Sequence, residues 1–206
     1  MLRVLFAAAL ALGSANAFAQ TCDRACLNSL LDTYLAALIK HDPATAPLSV
    51  GFRQTENAVV RAPGTGMWQT MTGLGKLQRR YFDATEGQAA YFGTIEETTG
   101  TAIVTVRLKV ERRKITEAEW VLNRRGDPGI GPGAGAQADA AYYDPDYLLE
   151  HPPEEYVAPR GERLSRSELI AVANSYFDGL AAHDGKLIVA HPGCIRIENG
   201  RPTTQR

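Results

Sequence analysis

The chain is poor in the features that usually announce chemistry. Its 206 residues contain three cysteines, four histidines and two tryptophans. Its formal charge is −1, from 22 basic and 23 acidic residues with no long run of either sign. That balance excludes the basic footprint with which nucleic-acid binders neutralise phosphates. There is no glycine-rich phosphate loop, zinc-ligand spacing or Ser/His/Asp arrangement, so neither a metal nor an organic cofactor is expected. Cys22 and Cys26 lie close together with Cys194 far away, a spacing that matches no familiar metal set. The longest apolar run, near Val4 to Leu12, is too short to span a bilayer, which takes about 20 residues.

That run reads instead as the middle of a leader. Arg3 supplies a positive start and Ala17-Phe18-Ala19 a small-residue cleavage site. Residues 1–19 are therefore expected to be a signal peptide. The mature protein is expected to be exported, periplasmic or extracellular, and off the membrane after cleavage. An oxidising destination permits a disulfide. Cys22 and Cys26 are four residues apart at a helix start, which suits a bridge poorly. A long-range bond, Cys26–Cys194 or Cys22–Cys194, is the expectation.

What the chain does have is repetition. Arg24, Leu27, Tyr34, Leu38, His41, Asp42, Gly51, Glu56 and Asn57 return without a gap, 142 residues later. They reappear as Arg166, Leu169, Tyr176, Leu180, His183, Asp184, Gly193, Glu198 and Asn199. Such self-similarity points to one structural unit used twice. In the first copy Leu27, Leu30, Leu31, Tyr34, Leu35 and Leu38 mark one helical face, and Asp42-Pro43 stops the helix. A strand is expected from Phe52 to Val60. A hairpin follows over 77–83 and 88–96, turning near Glu86-Gly87, and then strands over 101–111 and 114–123. Residues 20–125 thus predict an α+β domain.

Residues 126–163 are rich in proline and glycine and read as a linker or strap, pinned by Tyr142, Tyr143 and Tyr147. Ser165-x-x-Glu168 then opens a second helix as a capping box, with Gly185 as its stop. Residues 164–206 therefore predict a partial second repeat of one helix and one strand. Such a pair cannot bury its own apolar face. Either it docks on the first copy, or the second unit continues in a longer protein; the latter is the expectation.

The order of elements, with the segment Arg107-Leu108-Lys109-Val110-Glu111 followed by Lys114-Ile115-Thr116-Glu117, resembles the NTF2-like or SnoaL-like superfamily of cystatin-like cones. Arg112-Arg113 stand where a glycine turn is usual there. Thr55-Glu56-Asn57 and Cys194-Ile195-Arg196-Ile197-Glu198-Asn199-Gly200 are similar to motifs of secreted proteins that carry two such domains in tandem. The resemblance implies a long helix on a curved, mostly antiparallel sheet, with a cavity between them. It also implies pairing through sheets, as a homodimer or an intramolecular pseudo-dimer. Relatives of this kind include isomerases, dehydratases and non-catalytic binding modules.

By likeness to ketosteroid isomerase, whose site uses a carboxylate base with a tyrosine donor, Tyr34 and Glu56 are the acid–base candidates. Glu56 is expected in an apolar cavity, in a cofactor-free lyase or isomerase. The favoured reading is binding of a small apolar molecule or a partner in the cone cavity, near Asn57, Trp68, Trp120, His41 and Asp42. His41-Asp42 also suggests a proton relay, although a helix terminus explains the pair as well. A three-residue turn between the last two strands would set Arg107 opposite Glu117 and Thr105 opposite Glu119, leaving both carboxylates solvated.

Overall fold

The computed structural model of the protein describes residues 22–127 and 143–204. The leader and Tyr142 lie outside these residues. Helix α1, Arg24–Ile39, starts where the Asp23 side chain accepts a hydrogen bond from the Cys26 amide. It ends where His41 adopts a left-handed conformation (φ 56°). The His41 amide bonds Leu38 O and the Asp42 amide bonds Ala37 O. These two bonds form a Schellman motif with a histidine in the place glycine usually holds. The apolar stripe anticipated from the sequence is buried: Leu27, Leu31, Tyr34, Leu35 and Leu38 are all in the core.

The stripe packs on a six-stranded sheet. Its strands are β1 (Leu48–Glu56), β2 (Val59–Arg61), β3 (Met71–Asp83), β4 (Gln88–Glu97), β5 (Gly100–Glu111) and β6 (Lys114–Asn123), in the spatial order β2-β1-β6-β5-β4-β3. All pairs are antiparallel except β1 with β6. A short helix α2, Met67–Thr70, leads into β3. The fold is therefore α+β, one long helix lying on a curved, mostly antiparallel sheet. Register shifts within the β1–β6, β3–β4 and β5–β6 pairs mark the irregularities that bend it.

Two local readings need correction. The strand expected over Phe52–Val60 is broken by a turn at Asn57 and Ala58 (φ 47° and 65°), which separates β1 from β2. The β5–β6 turn has two residues, Arg112 and Arg113, both at positive φ. Arg107 consequently pairs with Glu119, and Lys109 with Glu117. A two-residue turn alone would point those carboxylates into the core. A register shift beside Lys109 and Val110 restores the alternation, so Glu117 and Glu119 both reach solvent and bond Arg107 at 3.0 and 3.2 Å.

Within the stretch expected to be a linker lies helix α3, Pro145–Glu150. Its Leu148 joins Leu77, Ile103, Phe92 and Tyr143 in a small second cluster, and the Tyr143 hydroxyl bonds Thr101 O. Helix α4, Arg166–Ala182, carries the capping box read from Ser165 and Glu168. His183, not Gly185, takes the left-handed position at its end (φ 54°). A short hairpin, β7 (Ile197–Glu198) with β8 (Arg201–Pro202), follows.

Positions 142 apart share backbone geometry as well as identity. His41 and His183 have φ 56° and 54°, Gly51 and Gly193 83° and 86°, and Asn57 and Asn199 47° and 48°. The Asp184 amide bonds Gly179 O as the Asp42 amide bonds Ala37 O. Asp42 and Asp184 each cap a following 3-10 turn.

The cysteine pairing differs from expectation. Cys22 and Cys26 are bonded to each other, with Cα atoms 5.2 Å apart, and Cys194 is free and exposed. Cys22 precedes the helix cap, where Asp23 is extended (φ −71°, ψ 179°). The pair therefore does not sit four apart within one helix, and the chain entering the helix brings the sulfurs together.

Candidate functional site

Four of the seven residues that sequence reasoning singled out, Tyr34, Glu56, Trp68 and Trp120, meet under α1, joined by Gln54, which it missed. Alternation along β1 puts Gln54 and Glu56 on the inward face. Tyr34 projects onto them from the helix stripe. Its hydroxyl donates to Gln54 Oε1 at 3.0 Å and accepts from Trp120 Nε1 at 3.1 Å. Trp68 Nε1 also donates to Gln54 Oε1, at 2.8 Å. Gln54 Nε2 in turn donates to Glu56 Oε1 at 3.1 Å, which receives the Met67 amide at 2.7 Å. Arg61 Nε lies 3.6 Å from Glu56 Oε2. Tyr34, Gln54, Trp68 and Trp120 are at most 1 % exposed and Glu56 is 6 %.

This arrangement is a saturated polar core. Tyr34 sits edge-on to Trp68, ring centres 5.6 Å apart, and beside Phe52 and Trp120 at 6.4 Å each. Glu56 does not face an apolar cavity, as expected from the sequence; it lies among an amide, a carboxamide and a guanidinium. Burial pushes the Tyr34 hydroxyl above the ordinary tyrosine range, opposed by the Trp120 hydrogen bond and reinforced by the Glu56 charge. A phenol shifted that way holds its proton more tightly, which suits a fixed donor better than an acid cycling near neutral pH. Close approach also fixes Gly66 at the cap of α2 (φ +61°). A Cβ there would stand 2.3 Å from both Glu56 carboxylate oxygens.

The other candidates are each tied to backbone. His41 Nδ1 contacts Trp68 O at 2.7 Å, while Asp42 Oδ1 accepts the Ala44 amide at 3.0 Å. The two side chains thus serve different segments. Asn57 continues the ladder beyond β1: its side chain donates to Leu122 O at 3.0 Å and accepts the Leu122 amide at 2.8 Å. Trp68 and Trp120 are core residues that also supply indole donors.

A second buried charge escaped the sequence reading. Glu97 on β4 receives Arg124 in a bidentate pair, at 2.5 and 2.8 Å, and Thr70 Oγ1 at 2.5 Å. The Arg124 guanidinium is raised above its usual range chiefly by that hydrogen bond. The pair closes the end of the sheet next to α2. Only period-2 counting along β1 could have found Gln54, between Phe52 and Glu56. Nothing in the sequence pairs Glu97 with Arg124, because their contact is made by chain reversal through β5 and β6.

The surface hollow beside this pair has a volume of about 480 Å³ and is lined by Thr101, Arg124, Arg125, Asp127, Tyr143 and Asp146 among others. Its lining is mixed in charge and distinct from the Tyr34 network. Among the described residues, no three His, Cys, Asp or Glu side chains converge to hold a metal ion. No helix among them is long and apolar enough to cross a membrane.

A family profile described as a domain of unknown function, DUF8021, matches residues 162–206. No curated protein matches the chain. Among solved structures, the chain is similar to an NTF2-like protein of unknown function from Cytophaga hutchinsonii. Identity is 14 %, coverage 47 % of this chain and 89 % of that one, and the TM-score 0.39. It is likewise similar to a protein of unknown function with a cystatin-like fold from Methylobium petroleophilum. There the identity is 14 %, coverage 70 % and 99 %, and the TM-score 0.44.

Proposed function

We propose that the protein is an exported NTF2-like module that works by binding rather than by acid–base catalysis. It comprises a complete first unit over residues 20–125 and a partial second unit over 164–206. The observation that carries this reading is the closed Tyr34–Gln54–Glu56 network. Tyr34, Gln54 and Glu56 are all satisfied by other protein groups, and bulky indoles flank them, so a substrate would have to displace structure to reach them. The helix-on-sheet arrangement supports the NTF2-like assignment. The shared backbone angles 142 residues apart support the partial second unit. The Cys22–Cys26 bond supports an oxidising destination, in keeping with the leader-like residues 1–19. A cone with a filled interior has its binding capacity on its outer surfaces.

The test compares the thermal midpoints of the wild type and Glu56→Gln. Residues kept for chemistry are commonly strained or poorly satisfied, so replacing them leaves stability unchanged or raises it. A structural carboxylate behaves oppositely. Glu56→Gln swaps an acceptor of several donors for a group that is half donor, and it is expected to cost about 1–3 kcal/mol. An unchanged or raised midpoint would overturn the binding-module reading and return Glu56 to the acid–base role. N-terminal sequencing of secreted protein should begin immediately after Ala19.

A further inference from the structure

The β7–β8 hairpin grips α3, and the contacts converge on one residue. Asp144 caps α3 by accepting the Tyr147 amide on Oδ1 at 2.9 Å, and its carbonyl receives the Leu148 amide at 3.2 Å. The same residue donates its own amide to Asn199 O at 2.9 Å, in the turn between β7 and β8. Its Oδ2 lies 3.4 Å from Arg201 Nη2. Gly200 is buried in this contact, and a Cβ there would collide with the Asp144 carbonyl. Backbone conformation alone does not call for that glycine. The matching residue 142 positions earlier is Ala58, which holds a left-handed φ of 65° with a side chain in place. What sets Gly200 apart is the approach of Asp144.

The gripped segment is weak by itself. Helix α3 has six residues, far short of the about 12–15 at which isolated helices become even marginal in water. Its buried side chain is Leu148, which closes over Leu77, Phe92 and Ile103. Phe92 and Ile103 alternate with the core residues Tyr91, Ala102 and Val104, so this seat lies on the face of the sheet away from α1. We infer that the β7–β8 turn is a latch holding the α3 plug on the outer face of the sheet. Hairpin and plug open and close as one unit, and the apolar seat of Leu77, Phe92 and Ile103 is uncovered when the hairpin lets go. Asp144 makes the coupling two-way. Withdrawing the turn takes an acceptor from its amide and a cation from its carboxylate; unseating Leu148 frees the cap that the turn grips.

Amide exchange of the full chain tests both directions. Gly200→Ala is expected to speed exchange of the Leu148 and His151 amides, which bond Asp144 O and Tyr147 O, by about tenfold or more. It is also expected to raise the fluorescence of added 8-anilinonaphthalene-1-sulfonate. Gly193→Ala is the control, because Gly193 has the same φ of 86° but nothing within 4 Å of its Cβ position. That variant is expected to leave α3 as in the parent. Leu148→Asp is expected to speed exchange of the Thr203 amide, which bonds Arg196 O across the hairpin, by a similar factor, since coupling is reciprocal. Amides of β5 should be unchanged throughout. Protection of α3 that survives Gly200→Ala overturns the inference. So does protection of Thr203 that survives Leu148→Asp, or an equal loss in Gly193→Ala. Where one variant also releases β5, the other decides; if both do, the plug belongs to the core and the latch is overturned.

Discussion

Helices α1 and α4 begin with side-chain caps, end in the same left-handed histidine turn and carry leucines and a tyrosine at matching positions. Yet one stripe is buried under β3–β6 and the other faces water. Local sequence thus suffices to form the helix, its end and the turn into the next strand. Burial is a property of the partner. Covering a leucine side chain is worth about 1.5–3 kcal/mol, so most of the stabilisation distinguishing the two helical regions comes from the sheet rather than from the helices.

The largest expected effect separates identical residues. Leu27→Ala should destabilise by about 2–5 kcal/mol, as core truncations do. Leu169→Ala should stay within about 0.5 kcal/mol, as exposed substitutions do. Urea denaturation of both variants measures the contrast, and equal effects would mean that α4 is covered in solution. Next comes Tyr34→Phe, which strands the buried Trp120 indole donor and removes a bond to Gln54; about 1–3 kcal/mol should be lost. In Tyr176→Phe, no such loss is expected from the same measurement. Gly66→Ala sharpens the network itself. Its methyl group meets the Glu56 carboxylate, and its φ is left-handed, so about 1–3 kcal/mol should be lost.

The smallest effect concerns the tether between the regions. Arg166 at the start of α4 bonds Asp83 at the end of β3, at 2.6 Å. This hydrogen bond, with backbone amides of the following turn, holds the Asp83 carboxyl below the usual carboxylate range. A depressed folded-state value means that the contribution is present above the unfolded value and is lost as pH falls through the folded one. The protection factors of the first α4 amides, measured against the intrinsic exchange rate at each pH, should therefore fall on acidification below the ordinary carboxylate range. Asp83→Asn should reduce that dependence and leave the part that belongs to the Glu168 carboxylate of the capping box, itself held low by its hydrogen bonds to Ser165.

Much of this was legible because it is local. Period 3.6 located the buried stripe of α1, period 2 located β4, β5 and β6, and the capping box located the start of α4. Local chemistry also misled where competing solutions exist. Arg112-Arg113 can close a two-residue turn, and only the adjacent register shift keeps Glu117 and Glu119 outside. Cys22 and Cys26 were too close for a bridge inside a helix, but Cys22 stands before the cap. The site was half legible: Tyr34, Glu56, Trp68 and Trp120 do converge, but Gln54 joins them, and Glu97 finds Arg124 across two strands.

The sequence alone determined the two long helices and their starts, the positions of β4, β5 and β6 and the 142-residue correspondence, because caps, turns and hydrophobic periods act over a few residues. Tertiary structure decided which apolar face is buried, which cysteines bond, and whether a tyrosine and a glutamate form a reactive pair or a closed polar core. Those outcomes depend on groups brought together from distant parts of the chain, and a buried polar atom takes its character from whatever neighbour satisfies it.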